Sequence, residues 1–586
     1  MKSQTTAYKA EMSKRIRPSS IIEVSVTANG VTHTFSETVI TSATLTNTID
    51  PLSRSLPTEE FKFTVADPTG EYDPSNPDGK WVYFDKDAPV TVKFGLTINN
   101  VRTFLASDTY WLDGRPSTSS GQVTFVASGR LGRLKGHYYK DASVSAILSD
   151  AGLTSSDYDI DWYELGRRFP TAKIPGFRPC THAEALQYFA HACGMALYTR
   201  GGKITMKRVI NISPEPDYSQ MTLTLGDIAQ NGIVLQKQDD IGLLRKISYG
   251  TIPSTGNTET VYSGNVVMPS GLSVKLFHFE FDDFIYNPIA SSSATVAQTN
   301  VYPYAVDVVL SGGGTPTISI VGERIKEETS ETSETLGTGD AEESIENPLL
   351  NFESTTDLAA AWLAQDYEYY LPKRNTYAIT FRGSDAIEAG DSILIETLPN
   401  NFIKALILGV RTQYNGALST TLTVKEMGRM IKLLAPTISV NPNLKKLIIS
   451  RKQVQDETYE IYIDGTLTDT VNCDGSTTLW DMPDLTVGTH TVEVIAKATD
   501  CLDSEKASTS VQLVSVYYML TNVTKSVTAP SKAYLGGSFS FTLTATMGHT
   551  LPDSISVSNA THTYNKTTGA VSVLDITNNV AVVATA

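Results

Sequence analysis

The chain has 586 residues, 41% of them hydrophobic and 19% charged, which is several domains' worth of length and too apolar for a mainly disordered protein. Its 47 Lys and Arg against 63 Asp and Glu give a formal charge of −16, which argues against a non-specific phosphate-binding surface and against sequence-specific DNA binding. No run of about 18 apolar residues occurs, the N-terminal MKSQTTAYKAEMSKRIRP lacks the apolar core of a signal peptide, and four cysteines are too few for a disulfide scaffold, so the expectation is a chain without a membrane span, assembled in a reducing cytoplasm.

Residues 1–17 form an N-terminal arm whose Lys9, Lys14, Arg15 and Arg17 make it either a frayed end or a strap onto an acidic neighbour. Residues 18–136 read as a β-domain, a barrel or a sandwich. Ile22, Val24 and Val26 alternate with polar residues, Asn29-Gly30 supplies a turn, and Val31, His33 and Phe35 resume the alternation. A second period-2 run puts Val90, Val92, Phe94, Leu96 and Ile98 on one face, and QVTFVAS at 122–128 repeats it. Residues 137–213 read as α+β. Val144, Ile147, Leu148 and Ala151 have helical spacing up to Gly152, and Thr181 with Glu184 makes a capping box for a second helix ending at Gly194, before a hairpin turning at Gly201-Gly202.

Residues 214–322 are strand-rich, and 323–344 carry many acids and no apolar period, which reads as a flexible, solvated acidic loop. Residues 345–432 open with a helix proposed by Leu358, Ala361, Trp362 and Ala364 to Tyr369, followed by strands at 376–382, 392–396, 403–413 and 418–426. After a link around Pro436, segments 433–515 and 516–586 each show short strands at the spacing of an immunoglobulin-like sandwich. The fold class expected is therefore mainly β with α+β insertions, in several domains.

Candidate chemistry is sparse. Asp67, Glu71, Asp73, Asn76 and Asp78 offer oxygens of the kind calcium takes, but without the spacing of a dedicated calcium loop, and a loop of turn formers is the favoured reading. Cys180, His182, His191 and Cys193 are zinc-type residues, yet one helix over 182–193 would hold its ends too far apart for one ion. His33 lies on the apolar parity of its strand and reads as a satisfied core or interface histidine. Asp239-Asp240 and Asp282-Asp283 are adjacent, and neighbours in a strand point to opposite faces, so neither is a glycosidase pair. A His-Glu-x-x-His helix, a phosphate-binding loop and a dinucleotide fingerprint are all missing. No catalytic, cofactor-binding or metal residue is assigned, and no enzyme is expected.

Three stretches together, FKFTVADPTGEYDPSNPDG at 61–79, the helix and hairpin of 180–209, and IENPLL with AAAWLAQDYEYYLPKRNTYAITFRGSDAIEAGDSILIE at 345–396, resemble the baseplate hub and tail-associated proteins of tailed bacteriophages. The likeness spans residues 18–432. It implies a trimer closing the end of the tail tube, in which each subunit gives two tube-type β-barrels so that three copies mimic a six-fold ring. It implies tail-tube or distal tail proteins and a tape measure, tip or spike protein as partners, and a place in the virion tail. Gly383-Ser384-Asp385-Ala386 stands where the family often has Gly-Asp-Pro. Residues 433–515 resemble a fibronectin type III module and 516–586 bacterial immunoglobulin-like repeats, decorations suited to host attachment. The rival readings are a tail-associated cell-wall-degrading enzyme, for which no catalytic module is recognisable, and a cell-surface adhesin, which predicts an export signal.

Overall fold

The computed structural model describes the chain except for residues 1, 13–18, 141–142, 169–177, 211–217, 219–220, 239–240, 250–256, 270–273, 326–328, 336–340, 346, 351–362, 364–365, 368, 371–374, 451–452, 474–475 and 500. Strands dominate, helices are short, and most pairings are antiparallel, so the protein is mainly β and multidomain. It divides into two compact units, residues 1–397 with 403–428, and residues 398–402 with 429–586.

The first unit is organised by one long sheet. Ser20–Ala28 and Val31–Ser36 form the expected hairpin, with Ala28 opposite Val31. Asn29 and Gly30 take φ of 50° and 73°, the left-handed pair that lets a two-residue turn match the strand twist. From this hairpin the order runs through Pro89–Ile98, Asp108–Leu112, Gln122–Ser128, Glu59–Ala66 and Ile40–Thr48. It then passes to Asn401–Tyr414, Leu418–Lys432, Asn375–Phe381 and Ile228–Gln238. The crossing between the halves is an antiparallel ladder that sets Gly409 to Tyr414 against Thr48 to Ala43. Alternation gives each half its own core. Ile22, Val24, Phe61, Phe63, Val92, Phe94 and Phe125 belong to the first, with Phe63 and Phe125 stacked at 4.6 Å. Leu223, Ile379, Ile393, Ile407, Leu422 and Val424 belong to the second.

This unit also contains two smaller bodies. Helices Val144–Asp150 and His182–Ala192 lie with a three-stranded sheet of Tyr158–Ile160, Lys203–Lys207 and Ala196–Arg200. Thr181 and Glu184 form the full capping box, and Gly194 at φ 61° follows the helix end. The parallel strand Tyr158–Ile160 and the helix Trp162–Arg168 had no apolar signature in sequence, being only three and seven residues long. Residues 259–325 make a small sandwich of two three-stranded sheets around Val306, Val308, Leu310, Ile318 and Ile320.

Two expectations change here, and a third is described only in part. Thr222–Leu223 and Ile228–Gln238 pair with Ser392–Leu398 and Asn375–Phe381, so the beginning of the 214–322 segment belongs to the second half of the long sheet. The segment 323–344, read as a flexible loop, contains Thr329–Thr335 and most of Ala341–Ile345, which flank Ile241–Tyr249 on its two sides. A ladder needs only backbone groups and is helped by the β-branched threonines, so it leaves no apolar period to read. Of the helix expected at 358–369, residues 363, 366, 367 and 369 are described and helical, while Leu358, Ala361, Trp362 and Ala364 fall outside the described residues.

The second unit begins with a three-stranded sheet of Thr437–Asn441, Lys446–Ser450 and Thr477–Asp481, and a seven-stranded sheet whose order starts with Thr466–Asn472, Thr458–Ile463, Gly488–Lys497 and Ala507–Thr521. Leu447, Ile449, Tyr459, Ile461, Trp480, Val492 and Val494 fill the space between, and Leu433, in the presumed link, is buried with them. The strand Ala507–Thr521 runs through the expected boundary at 515. Its Val511 and Leu513 join the first core, while Val514 and Val516 join a second core with Phe541, Leu543, Val571, Val580 and Val582. Continuing parallel to Val580–Thr585, the strand is shared by both cores.

Truncating Phe125 to Ala removes the ring stacked on Phe63 from a fully buried site and is expected to cost about 3–5 kcal/mol. A lower urea midpoint for the loss of near-ultraviolet circular dichroism checks this; an unchanged midpoint contradicts the packing.

Candidate functional site

The described part of the N-terminal arm is a strap onto the protein's own acids. The Lys2 amide donates to the Ala386 carbonyl at 2.9 Å, and its Nζ donates to Asp108 Oδ2 at 2.5 Å and to Asp385 Oδ2. Helix Thr6–Met12 places Tyr8 in an apolar pocket with Leu96, Ile98, Leu105 and Ala386. The anchoring cation is thus Lys2, while Lys9 is exposed and Lys14, Arg15 and Arg17 lie outside the described residues. Asp108 comes from the first half of the sheet and Asp385 from the loop after Asn375–Phe381, so one ammonium ties the arm to both halves.

All three groups are buried. Burial opposes the Lys2 charge, but the flanking Asp385 and Asp108 outweigh it and raise its pKa. Burial pushes Asp385 up to about 7, with Lys2 pulling down and Asp108 pushing further up, and burial likewise raises Asp108. Two carboxylates around one ammonium leave surplus negative charge, which a proton relieves. Beside them Arg200, ending the strand Ala196–Arg200, binds Glu388 at 2.9 Å and Asp391 at 2.8 Å and fastens the helix-and-hairpin body to the same loop. Asp366 accepts from Arg168 at 2.5 Å and Arg208 at 2.8 Å. Its carboxyl fills the space a Gly194 Cβ would need, which would sit 2.1 Å from Oδ2.

Glu59 closes this seam. It is buried, neither carboxyl oxygen completes a hydrogen bond among the described residues, and burial raises it to about 7, softened by the nearby Thr199 and the Leu131 backbone. Lys2, Glu59, Asp108, Tyr198, Asp385 and Glu388 line a cavity of about 30 Å³. That holds a water or two, far below the several hundred Å³ of a small-molecule site, so the arrangement can bind modules together and exchange protons but not enclose a substrate.

The residues nominated from sequence are used locally. Asp67 accepts from the amides of Glu71 at 2.8 Å and Tyr72 at 2.9 Å, Asp73 from that of Ser75 at 2.8 Å, and Asn76 donates to Gly70 and accepts from Asp78, which is turn chemistry rather than a converging oxygen cage. His182 pairs with Asp150 at 3.0 Å and His191 with the Tyr367 hydroxyl at 3.0 Å, while Cys180 and Cys193 are free thiols; the four do not meet. His33 is half-buried and packs on Phe84 at 5.0 Å, and its enclosed Nε2 has no hydrogen-bond partner among the described residues, so it is a contact at the edge of the core left polar rather than a satisfied core histidine. Asp282 and Asp283 sit in a bend between strands rather than within one, and Asp283 faces Arg324. Asp239 and Asp240 lie outside the described residues.

Sequence reading missed His137, His278 and Glu280, whose ligand atoms lie within 4.8 Å of one another. His278 and Glu280 are two apart on Val274–Glu280 and so share a face, but His137 is remote in sequence and nothing local announces it.

No family model and no curated protein matches the chain. Among solved structures it is similar to the 43 kDa tail protein of prophage MuSo2 from Shewanella oneidensis, at 11% identity and a TM-score of 0.35, covering 69% of this chain and 98% of that one. It is also similar to prophage tail protein gp18 from Listeria monocytogenes EGD-e, at 10% identity and a TM-score of 0.33, covering 69% and 94%. Both solved structures are prophage tail proteins.

Because Glu59 and Asp385 bind protons more tightly folded than unfolded, the folded state holds more protons between about pH 4 and 7, and stability falls as pH rises through that window. Glu59→Gln is expected to raise the melting temperature at pH 8 and change it little at pH 5; an equal shift at both values would contradict the assignment. Lys2→Ala strands two buried carboxylates and is expected to cost about 3–5 kcal/mol, read as a lowered denaturant midpoint at pH 8; an unchanged midpoint would show the strap to be idle.

Proposed function

We propose that this chain is a structural hub or adaptor at the distal end of a phage or phage-derived tail, closing the tail tube and linking it to tip, baseplate or receptor-binding components. The observation that carries the reading is the pairing of Ala43–Thr48 with Gly409–Tyr414, which fuses two separately cored β halves into one sheet. The resemblance over 18–432 calls for two tube-type elements per subunit, and a doubled sheet of this kind is a scaffold that could supply them.

A non-enzymatic role is supported by the use made of the candidate groups. The acids of the 67–78 loop cap turns, Asp385, Asp391 and Asp366 answer Lys2, Arg200, Arg168 and Arg208, and the cavity beside Lys2 and Asp385 is water-sized. In this reading the oligomer is a trimer, 433–515 and 516–586 are fibronectin type III-like and immunoglobulin-like extensions, and their outer surface meets a tail partner or the host. Exposed Val527 and Met547 on the last sandwich suit such a contact.

Native mass spectrometry of the full chain at micromolar concentration is expected to give three times its 63.6 kDa mass. A strict monomer under those conditions would contradict a ring-forming hub.

A further inference from the structure

The cross-strand register places His278 opposite Asp307. Nδ1 of His278 lies 2.7 Å from Asp307 Oδ1, and the Tyr139 hydroxyl donates to the other oxygen of Asp307 at 3.1 Å. Asp307 is buried, with 4% of its surface exposed, and a carboxylate only accepts, so the His278 Nδ1 carries the hydrogen. In the neutral ring Nε2 is then the lone-pair atom, and it faces Glu280 Oε1 at 2.7 Å. The Nε2 of His137, on the short strand His137–Tyr138, faces the same oxygen. Two imidazole nitrogens converging on one carboxylate oxygen need an electrophile among them, either protons or a metal ion.

We infer that His137, His278 and Glu280 form a binding site for a zinc-type divalent cation, with Asp307 orienting His278. Two imidazoles and a carboxylate are a donor set that zinc accepts while keeping a fourth position for water, and the Asp307–His278 pair is the carboxylate–histidine arrangement that fixes the tautomer and basicity of metal-bound histidines. Tetrahedral donors stand about 3.3 Å apart around a zinc-sized ion. The two carboxylate–imidazole contacts open to that value by rotation of the Glu280 side chain, which is 39% exposed, and the two imidazole nitrogens, within 4.8 Å of each other, are adjusted by rotation of the His137 side chain, which is 53% exposed, so an ion can enter from solvent. His137 belongs to the helix-and-hairpin body, and His278 and Glu280 to the 259–325 sandwich. A bound ion would therefore clip these two bodies of the first unit together.

The test uses the untagged full-length chain, dialysed free of metal, and titrates it with Co²⁺ while recording visible d–d absorption, then with Zn²⁺ in competition. One tight equivalent per chain is expected, without the near-ultraviolet thiolate band that binding at Cys180, Cys193, Cys473 or Cys501 would give. His137→Ala and His278→Ala are each expected to weaken binding at least tenfold. Asp307→Asn is expected to weaken it tenfold or more while keeping the Co²⁺ spectrum's shape. His137 and His278 are exposed and Asp307 is buried, and far-ultraviolet circular dichroism confirms that the variants stay folded. Absence of binding, which would leave protons alone in the cluster, overturns the site. So does binding that survives both histidine variants or carries the thiolate band.

Discussion

The two halves of the long sheet in the first unit are joined by one long-range ladder, the antiparallel pairing of Gly409–Tyr414 with Ala43–Thr48. Its strands come from opposite ends of that unit, so chain entropy must be lost before the contacts repay it. The repayment is visible in what the ladder positions. Thr412, buried within it, sits 3.3 Å from Thr420, whose hydroxyl accepts from the Ser384 amide at 3.1 Å. That fixes the loop carrying Asp385 and Glu388, which in turn receive Lys2 and Arg200. Sheet register, loop, strap and helix-and-hairpin body are thus links of one chain of causes.

The buried ions of this seam are a poor source of net stability, because desolvation offsets much of their attraction. Their value is in specificity. An arm that brings no lysine, or a loop in the wrong register, leaves Asp108 and Asp385 buried together without a counter-charge. Gly383 enforces the same geometry sterically, since a Cβ there would lie 2.4 Å from the Leu418 backbone. The Gly-Ser-Asp-Ala stretch that departs from the Gly-Asp-Pro pattern of the resembled family is therefore put to structural use, with glycine for close approach, serine for the threonine network and aspartate for the strap.

Local features were legible and long-range ones were not. Asn29-Gly30, the Thr181–Glu184 box and the alternation of Val90 to Ile98 encode their own geometry within a few residues, and each takes the form its spacing implies. Ile228–Gln238 looked like part of the following domain because nothing within it names Asn375–Phe381 as its partner. Thr329–Thr335 looked like a loop because its ladder is made by backbone atoms. The cluster of His137, His278 and Glu280 was invisible for the same reason, as one of its members arrives from a different body. Lys2 was overlooked among the arm's cations because its partners, Asp108 and Asp385, lie 106 and 383 residues from it in sequence.

Hydrogen exchange of the full chain, followed by mass spectrometry on peptides covering 40–48 and 403–414 in increasing denaturant, tests the shared sheet most directly. If the ladder joins the halves as one cooperative body, both segments exchange slowly and lose protection at the same denaturant concentration. Loss of protection in one segment while the other stays protected would mean that the halves open independently, and that the two-part scaffold on which the hub reading depends does not hold together in solution.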